Sequence, residues 1–413
     1  MIDLAAIVLS ALAWFFSTGA HDVWLLAWVA PAPVLALAYR TAAPFGPAQG
    51  ARSGVEARRA AIAAFVAAGL GSLTWVQLYA GLLPALVLAR IVLSAALLFT
   101  LVVMGARWIA GRQPAHVALF AFPLLAAGAD YLLALVSPDG SAGSLAYTQV
   151  DVRPVLQVVS VTGLWGITFL LALVASGLAL AWRYRARRRE LALTLARPLV
   201  IVAICVSLGW MRASHAPLTP TVRIGLAAIS QHDSTGADAV TVAREYAQQV
   251  DALAAAGAHL VLLPEKAVRV TAAARAAVRQ VFADAAKRNH IALIAGVDET
   301  GVAPRRNVAL VFDRAGGLAI ATLKQHLPEG GERGYVPGRT IAVWTDSAWM
   351  YGVAIGTDSS SPRWGARTGA RTSGCCSSRP RIPCAMRVCP YGWPSLAPSK
   401  TGTASCGART RGC

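Results

Sequence analysis

The apolar residues of this chain are distributed in two distinct patterns. Up to residue 211 they form stretches of about 18 residues or more, long enough as helix to cross roughly 30 Å of hydrocarbon. Seven spans are predicted, at approximately 3–19, 23–39, 60–82, 84–104, 116–136, 155–182 and 196–211. Residues 1–20 are expected to be a span and not a cleaved leader, because no basic segment precedes the run and no small-residue cleavage site closes it. After Thr221 the elements shorten. Strands are expected over 222–228, 258–264, 291–297, 307–312 and 318–323, with helices over 237–256 and 272–289. Strand–helix alternation with buried strands predicts an α/β layered domain.

Composition supports the same division. Of 413 residues, 56% are hydrophobic and only 14% charged, against about 25% charged in an ordinary soluble domain. That excludes a plain soluble enzyme, a wholly disordered chain and a disulfide-stapled miniprotein. The net charge is +18, from 38 Lys and Arg against 20 Asp and Glu. The positive residues lie between apolar runs and not along one polar face, so no nucleic-acid partner is expected.

Their placement also predicts topology. Loops 40–59, 105–115 and 183–197 are rich in Arg, whereas 19–22, 81–83 and 137–153 are neutral or acidic. Basic loops stay in the cytoplasm. The amino terminus is therefore expected inside, and an odd number of crossings puts the second half outside. The expectation is a monomeric, multi-pass inner (plasma) membrane protein with an extracytoplasmic domain.

Two charges fall within predicted spans. Arg90 follows Pro84 by six residues and Asp130 precedes Val136 by six, each about 9 Å below a helix end. They are candidates to pair with each other, and Arg90 alternatively faces a lipid phosphate or snorkels to the interface.

Three positions in the second half carry candidate chemistry. Leu262-Leu263-Pro264-Glu265 places a carboxylate at the carboxyl end of a buried strand, where open α/β sheets form clefts and a general base is useful. Leu323-Lys324-Gln325-His326 brings an ammonium to a strand edge, where it can stabilise an oxyanion. Glu332 follows eight residues later, ahead of Pro337-Gly338. Taken singly, each is more simply a surface charge.

Taken in order, Pro-Glu after a strand, Lys-x-His-Leu about 60 residues on, then Glu before Pro-Gly resembles the nitrilase (carbon–nitrogen hydrolase) superfamily. With membrane spans ahead of it, the chain looks like the apolipoprotein N-acyltransferase family. Ser144-Leu145-Ala146-Tyr147-Thr148-Gln149, Gln157, Thr162-Gly163 and Trp165-Gly166 are similar to that family's loop and following span. The resemblance covers residues 1–355. It implies a transmembrane domain over 1–211 and a nitrilase-like αββα domain over 221–355, incomplete at its C-terminal half. It also implies an acyl chain passed from phospholipid through an enzyme thioester to the diacylglyceryl-cysteine of an apolipoprotein, without cofactor or metal. Glu265 would be the general base, Lys324 the oxyanion stabiliser and Glu332 the supporting acid.

The pattern breaks after Ile355. The family's nucleophilic Cys would follow the strand 349–355, but the next residue is Gly356. Residues 356–413 hold nine Lys or Arg against Asp358 alone, six of the chain's seven Cys, and no hydrophobic period. The cysteines lack paired Cys-x-x-Cys zinc spacing. Ser361-Pro362-Arg363-Trp364 can be written with the codons TCC-CCG-CGC-TGG, which one base earlier, behind a T, read Phe-Pro-Ala-Leu; residues 373–378 can likewise be written with G+C-rich codons that one base earlier, behind a G, read Val-Gly-Leu-Leu-Leu-Val. The tail is therefore expected to be out of frame and this copy inactive. The alternatives are a non-catalytic lipid- or protein-binding relative and a small-amide hydrolase.

Overall fold

The computed structural model describes residues 2–19, 21–40, 42, 50–81, 83–137, 140–214, 222–229, 238–301, 303–327, 332–346, 349–356, 358, 386–388 and 403–406. The chain separates into two compact units, one helical and one α/β.

In the helical unit, five of the described helices are long and apolar enough to cross a membrane, where seven spans were expected. They are Gly54–Tyr79, Ala85–Arg112, Ala115–Val136, Trp165–Arg183 and Arg188–Ser214. The two amino-terminal segments, Asp3–Ser17 and Trp24–Arg40, are helical but shorter. Pro31 and Pro33 account for the second: only Trp24–Trp28, as a 3-10 turn, and Ala32–Arg40 are helical, because proline lacks the amide a continuous helix needs there. The expected span 155–182 is likewise divided. Arg153–Leu156 and Val159–Thr162 are single turns, and Gly163 at φ +68° ends them before the 19-residue helix Trp165–Arg183 begins.

Several helices also outrun their apolar cores. Arg58, Arg59, Arg107, Arg112, Arg188, Arg189 and Arg197, expected in loops, lie in helical turns. Hydropathy marks the hydrocarbon thickness, whereas helical hydrogen bonds continue into the headgroup layer. The bundle packs through small residues, with Ala60, Ala64, Ala67 and Ala96 buried against Val103 and Leu173. Such residues let helices approach closely where lipid gives no hydrophobic drive.

The α/β unit is layered. Its main sheet contains β1 (Val222–Leu226), β2 (Leu260–Leu262), β3 (Val268–Val270), β4 (Ala292–Glu299), β5 (Arg306–Phe312) and β6 (Leu318–Leu323). β1, β2 and β4 are parallel neighbours, β3 also runs parallel to β4, and β5 and β6 continue antiparallel. β7 (Ala342–Asp346) and β8 (Trp349–Ile355) form the core of a second sheet. Two short strands from the tail, β9 (Met386–Val388) and β10 (Thr403–Cys406), pair with β8 and β1. The calls on the other tail cysteines lie outside the described residues.

Period-two alternation buries both faces of the main sheet. Val261, Leu263, Leu293, Val297 and Leu310 pack on the helices Ala239–Ala255 and Arg275–Asn289. Leu260, Leu262, Ile294 and Val311 pack on Trp344, Tyr351, Val353 and Ile355 of the second sheet. This gives three layers, α, β and β; the described residues contain no fourth, helical layer. The sequence missed β3 and β7, which are short and bear Arg269 and Asp346 among their apolar positions.

Candidate active site in the α/β unit

Glu265 follows β2 by three residues and is only 2% exposed. The Leu263 amide donates to the Ile294 carbonyl at 2.9 Å, so the sheet fixes the approach to the Pro-Glu corner. Gly296 on β4 permits that corner. A Cβ there would lie 2.7 Å from Glu265 Cα, closer than real contacts allow. The next residue, Lys266, has φ +54°, a left-handed conformation that a non-glycine residue seldom takes and that often marks a working site.

Lys324 leaves the end of β6 and is 3% exposed. Its amide donates to the Asn307 carbonyl at 3.0 Å, and its Nζ lies 2.9 Å from Glu265 Oε1 and 3.0 Å from Glu332 Oε2. Asn307 Nδ2, from β5, donates to both carboxylates, at 2.6 Å to Glu265 Oε1 and 2.8 Å to Glu332 Oε1. Lys266 Nζ closes the group at 2.6 Å from Glu332 Oε1. Two carboxylates thus meet two ammonium groups, and the buried charge is balanced.

This balance affects proton affinity. Burial pushes Glu332 up, but the hydrogen bond from Lys266 and the charge of Lys324 outweigh it, holding the carboxyl below its ordinary value. Burial pushes Lys266 down, and the hydrogen bond to Glu332 outweighs it, raising the ammonium above its ordinary value. Lys266 also sits 4.5 Å from the Tyr335 ring centre, and Tyr335 donates its hydroxyl to Asp298 at 2.8 Å.

Gly356, one residue after β8, faces this cluster. Its φ is +53°, and a Cβ built on it would lie 2.5 Å from Glu265 Oε2 and 3.4 Å from Lys324 Nζ. Among the described residues Glu265 Oε2 has no hydrogen-bond partner. The Glu265 carboxylate therefore stands where a side chain at residue 356 would begin; its flexible end would swing aside for any residue but glycine, and the positive φ also favours glycine there.

Asp358, expected to belong to the aberrant tail, is instead built into the site and 2% exposed. It accepts from the amides of Gln325 (3.0 Å), His326 (2.6 Å) and Ile355 (3.2 Å), and its Oδ1 lies 3.1 Å from His326 Nδ1. It ties the loop after Lys324 to the end of β8.

The structure therefore brings Glu265, Lys324, Glu332 and Gly356 together. Sequence reasoning missed Lys266, Asn307, Tyr335 and Asp358. Lys266, adjacent to the Pro-Glu corner, carried the one usable signal. The other three lie in ordinary polar contexts that only the fold makes meaningful.

Arg90 and Asp130 are not brought together. Arg90 is exposed, and Asp130 Oδ2 accepts from Ser144 Oγ at 2.6 Å and Thr168 Oγ1 at 2.7 Å. Among the described residues of the helical unit the buried arginine is Arg107, which donates to the Ala38 carbonyl at 2.6 Å.

Residues 10–177 match the N-terminal domain of the apolipoprotein N-acyltransferases. The apolipoprotein N-acyltransferase of Geobacter metallireducens is 30% identical over 178 residues, which is 41% of this chain. The match spans about a third (32%) of that relative's length. Among solved structures, an amidase from Nesterenkonia sp. AN1 shares 22% identity over 36% of this chain and 63% of its own, with a TM-score of 0.32. A carbon–nitrogen hydrolase from Helicobacter pylori G27 shares 18% over 36% of this chain and 55% of its own, with a TM-score of 0.31.

Proposed function

From the match of residues 10–177 to the N-terminal domain of the apolipoprotein N-acyltransferases, we propose that the chain belongs to that family and that its α/β unit is an acyl-transfer site whose nucleophile position is Gly356. In the reaction this reading assigns, a thiol at that position attacks a phospholipid ester. Its proton passes to Glu265, and Lys324 steadies the oxygen that gains charge. The lysophospholipid leaves with that proton, and a thioester remains. The α-amine of a diacylglyceryl-cysteine then attacks the thioester and releases the thiol. Glu332 and Asn307 hold Glu265 and Lys324 in register. Donor and acceptor are both lipid-anchored, and confinement to one membrane raises their effective concentration. The domain on this reading faces the outside of an inner membrane.

The observation that carries the proposal is the direction of Gly356: its missing Cβ points at Glu265 Oε2 and Lys324 Nζ together. Glycine supplies no nucleophile, so the chain as it stands captures no acyl group. The burial of Asp358 supports placing the change of reading frame after that residue. The gene sequence across codons 350–380 tests this: an intact frame with the printed codons would contradict it.

The functional test uses purified protein and acyl-radiolabelled phospholipid. Gly356→Cys should take up hydroxylamine-labile label, the unaltered chain none, and Gly356→Cys with Glu265→Gln none. Label on the unaltered chain, or none on Gly356→Cys, would contradict the assignment.

A further inference from the structure

Lys266 is a charged group of the site to which the acyl-transfer reading gives no part. It adjoins Glu265 in sequence, yet its ammonium goes to the other carboxylate, with Nζ 2.6 Å from Glu332 Oε1. Its backbone takes φ +54°, a costly conformation for a non-glycine residue that persists where the surroundings hold it.

Glu332 stands between two lysines. Its Oε1 takes Lys266 Nζ and, at 2.8 Å, Asn307 Nδ2, while its Oε2 lies 3.0 Å from Lys324 Nζ. Burial pushes Glu332 up, and the largest influence against burial is the hydrogen bond from Lys266. Lys266 is itself held from behind. Its ammonium lies 4.5 Å from the centre of the Tyr335 ring, and the Tyr335 hydroxyl donates to Asp298 Oδ1 at 2.8 Å. Asp298 Oδ2 in turn lies 3.4 Å from Arg269 Nε. A line of contacts thus runs from Asp298 on β4 through Tyr335, Lys266 and Glu332 to Lys324. The charged and titratable groups facing Lys266 are Glu332, Tyr335 and Glu265, and Arg305 adds its charge near Tyr335.

The charges of Glu265, Glu332, Lys324 and Lys266 sum to zero. Without Lys266 the remaining three sum to −1. In a buried site that excess is relieved by a proton on one carboxylate or by a shift of Lys324 toward Glu332. Either change removes something acyl transfer needs: a deprotonated Glu265, or an ammonium that serves Glu265 and the reacting oxygen together.

We infer that Lys266 is a positioning residue: by holding Glu332 Oε1 it leaves Lys324 to Glu265 and to the oxygen that gains charge. The inference rests on the acyl-transfer reading and adds to it a residue that touches no reacting atom.

Two measurements test it. The first compares thermal midpoints of the purified chain at neutral pH. Lys266→Met and Glu332→Gln leave the cluster at −1 and +1, and each should lower the midpoint. Together they restore a sum of zero, so the double variant should recover at least half of the Lys266→Met loss. A double variant no more stable than Lys266→Met would mean that only the packing of the Lys266 stem matters, and would overturn the inference.

The second follows acyl capture by Gly356→Cys from radiolabelled phospholipid as a function of pH. Adding Lys266→Met should slow formation of the hydroxylamine-labile label about tenfold at neutral pH, the equivalent of one pH unit in the state of the base. It should also move the acid limb of the profile to higher pH, because the excess negative charge holds a proton on the carboxylates. Lys266→Arg should return most of the rate. An unchanged rate and profile with Lys266→Met overturns the role of Lys266 and leaves the acyl-transfer reading standing. No label on Gly356→Cys itself overturns that reading, and this inference with it. Should Lys266→Met fail to fold, Lys266→Gln, which keeps a hydrogen bond to Glu332 without the charge, decides by the same rate and profile.

Discussion

The two units solve the burial of charge in opposite ways. In the helical unit, charged side chains are satisfied by neutral groups: Asp130 by two hydroxyls, Arg107 by the Ala38 carbonyl, and Arg183 by the carbonyls of Tyr39 and Ala42. In the α/β unit, buried charge meets opposite charge, with Glu265 and Glu332 shared among Lys324, Lys266 and Asn307. Each contact in the first unit fastens one segment to another. The second holds a compact, balanced set of ionised groups, in which Lys266 and Lys324 keep Glu332 in its charged form. The difference teaches that a buried charge marks chemistry only when its partners can exchange a proton with it or leave one of its atoms unclaimed, as Glu265 Oε2 is among the described residues.

The contrast can be broken most forcefully at Lys324. Lys324→Met leaves two buried carboxylates without their shared cation, and losing one partner of a buried charge network costs about 3–5 kcal/mol. Thermal unfolding of the purified chain should show the largest drop of any single substitution at the site. A change within a degree or two would mean that the carboxylates do not depend on it. Asp358→Ala comes next. It strips the acceptor from three amides, and bonds to a charged group are worth about 1.5–3 kcal/mol each before water substitutes for them. The midpoint should fall by less than in Lys324→Met, with protease cleavage appearing near residue 326.

Gly296→Ala is expected to act more on the site than on stability. The added methyl meets the Glu265 backbone and costs about 1–3 kcal/mol by overpacking. In a Gly356→Cys background it should also lower acyl capture. Stability loss with capture unchanged would show that the Pro-Glu corner tolerates displacement.

The smallest effect is in pH dependence. The Glu332 carboxyl is held below its ordinary value of 4.5. Its contribution to stability is therefore complete above that pH and lost as pH falls through the lowered folded value. Lys266, raised above 10.5, contributes fully below that pH and loses its contribution only as alkaline pH passes the folded value. Between them the cluster should be insensitive to pH. Comparing the thermal midpoint of the unaltered chain with Glu332→Gln, the gap should be constant near neutrality and close on acidification. A gap that widens on acidification would reverse the sign of the Glu332 shift.

How much of this was legible in the sequence follows the same division. Hydropathy located the long helices, because an apolar face in lipid has one simple requirement. It overcounted at the two short amino-terminal segments, the second broken by Pro31 and Pro33, it began one span too early where Gly163 interrupts the backbone, and it stopped short of the arginine-bearing turns that continue the helices. Short apolar runs located β4, β5 and β6 nearly to the residue, β4 and β5 because both their faces are buried, whereas β8 was placed through the family resemblance. Glu265, Lys324 and Glu332 stood out through spacing. Asn307 did not, because an Asn opening a strand looks like a turn residue until β5 lies beside β4 and β6. Asp358 was hidden by its company: it sits next to a compositionally aberrant tail, and only its four contacts separate it from that tail.

Thiol reactivity at position 356 decides the matter. In Gly356→Cys, the rate of alkylation of the introduced thiol by iodoacetamide, followed by peptide mass mapping, should exceed that of Cys205 in the same molecule. It should fall at least tenfold when Glu265→Gln removes the base. Equal rates with and without the Glu265 carboxylate would contradict the reading that residue 356 faces a working base.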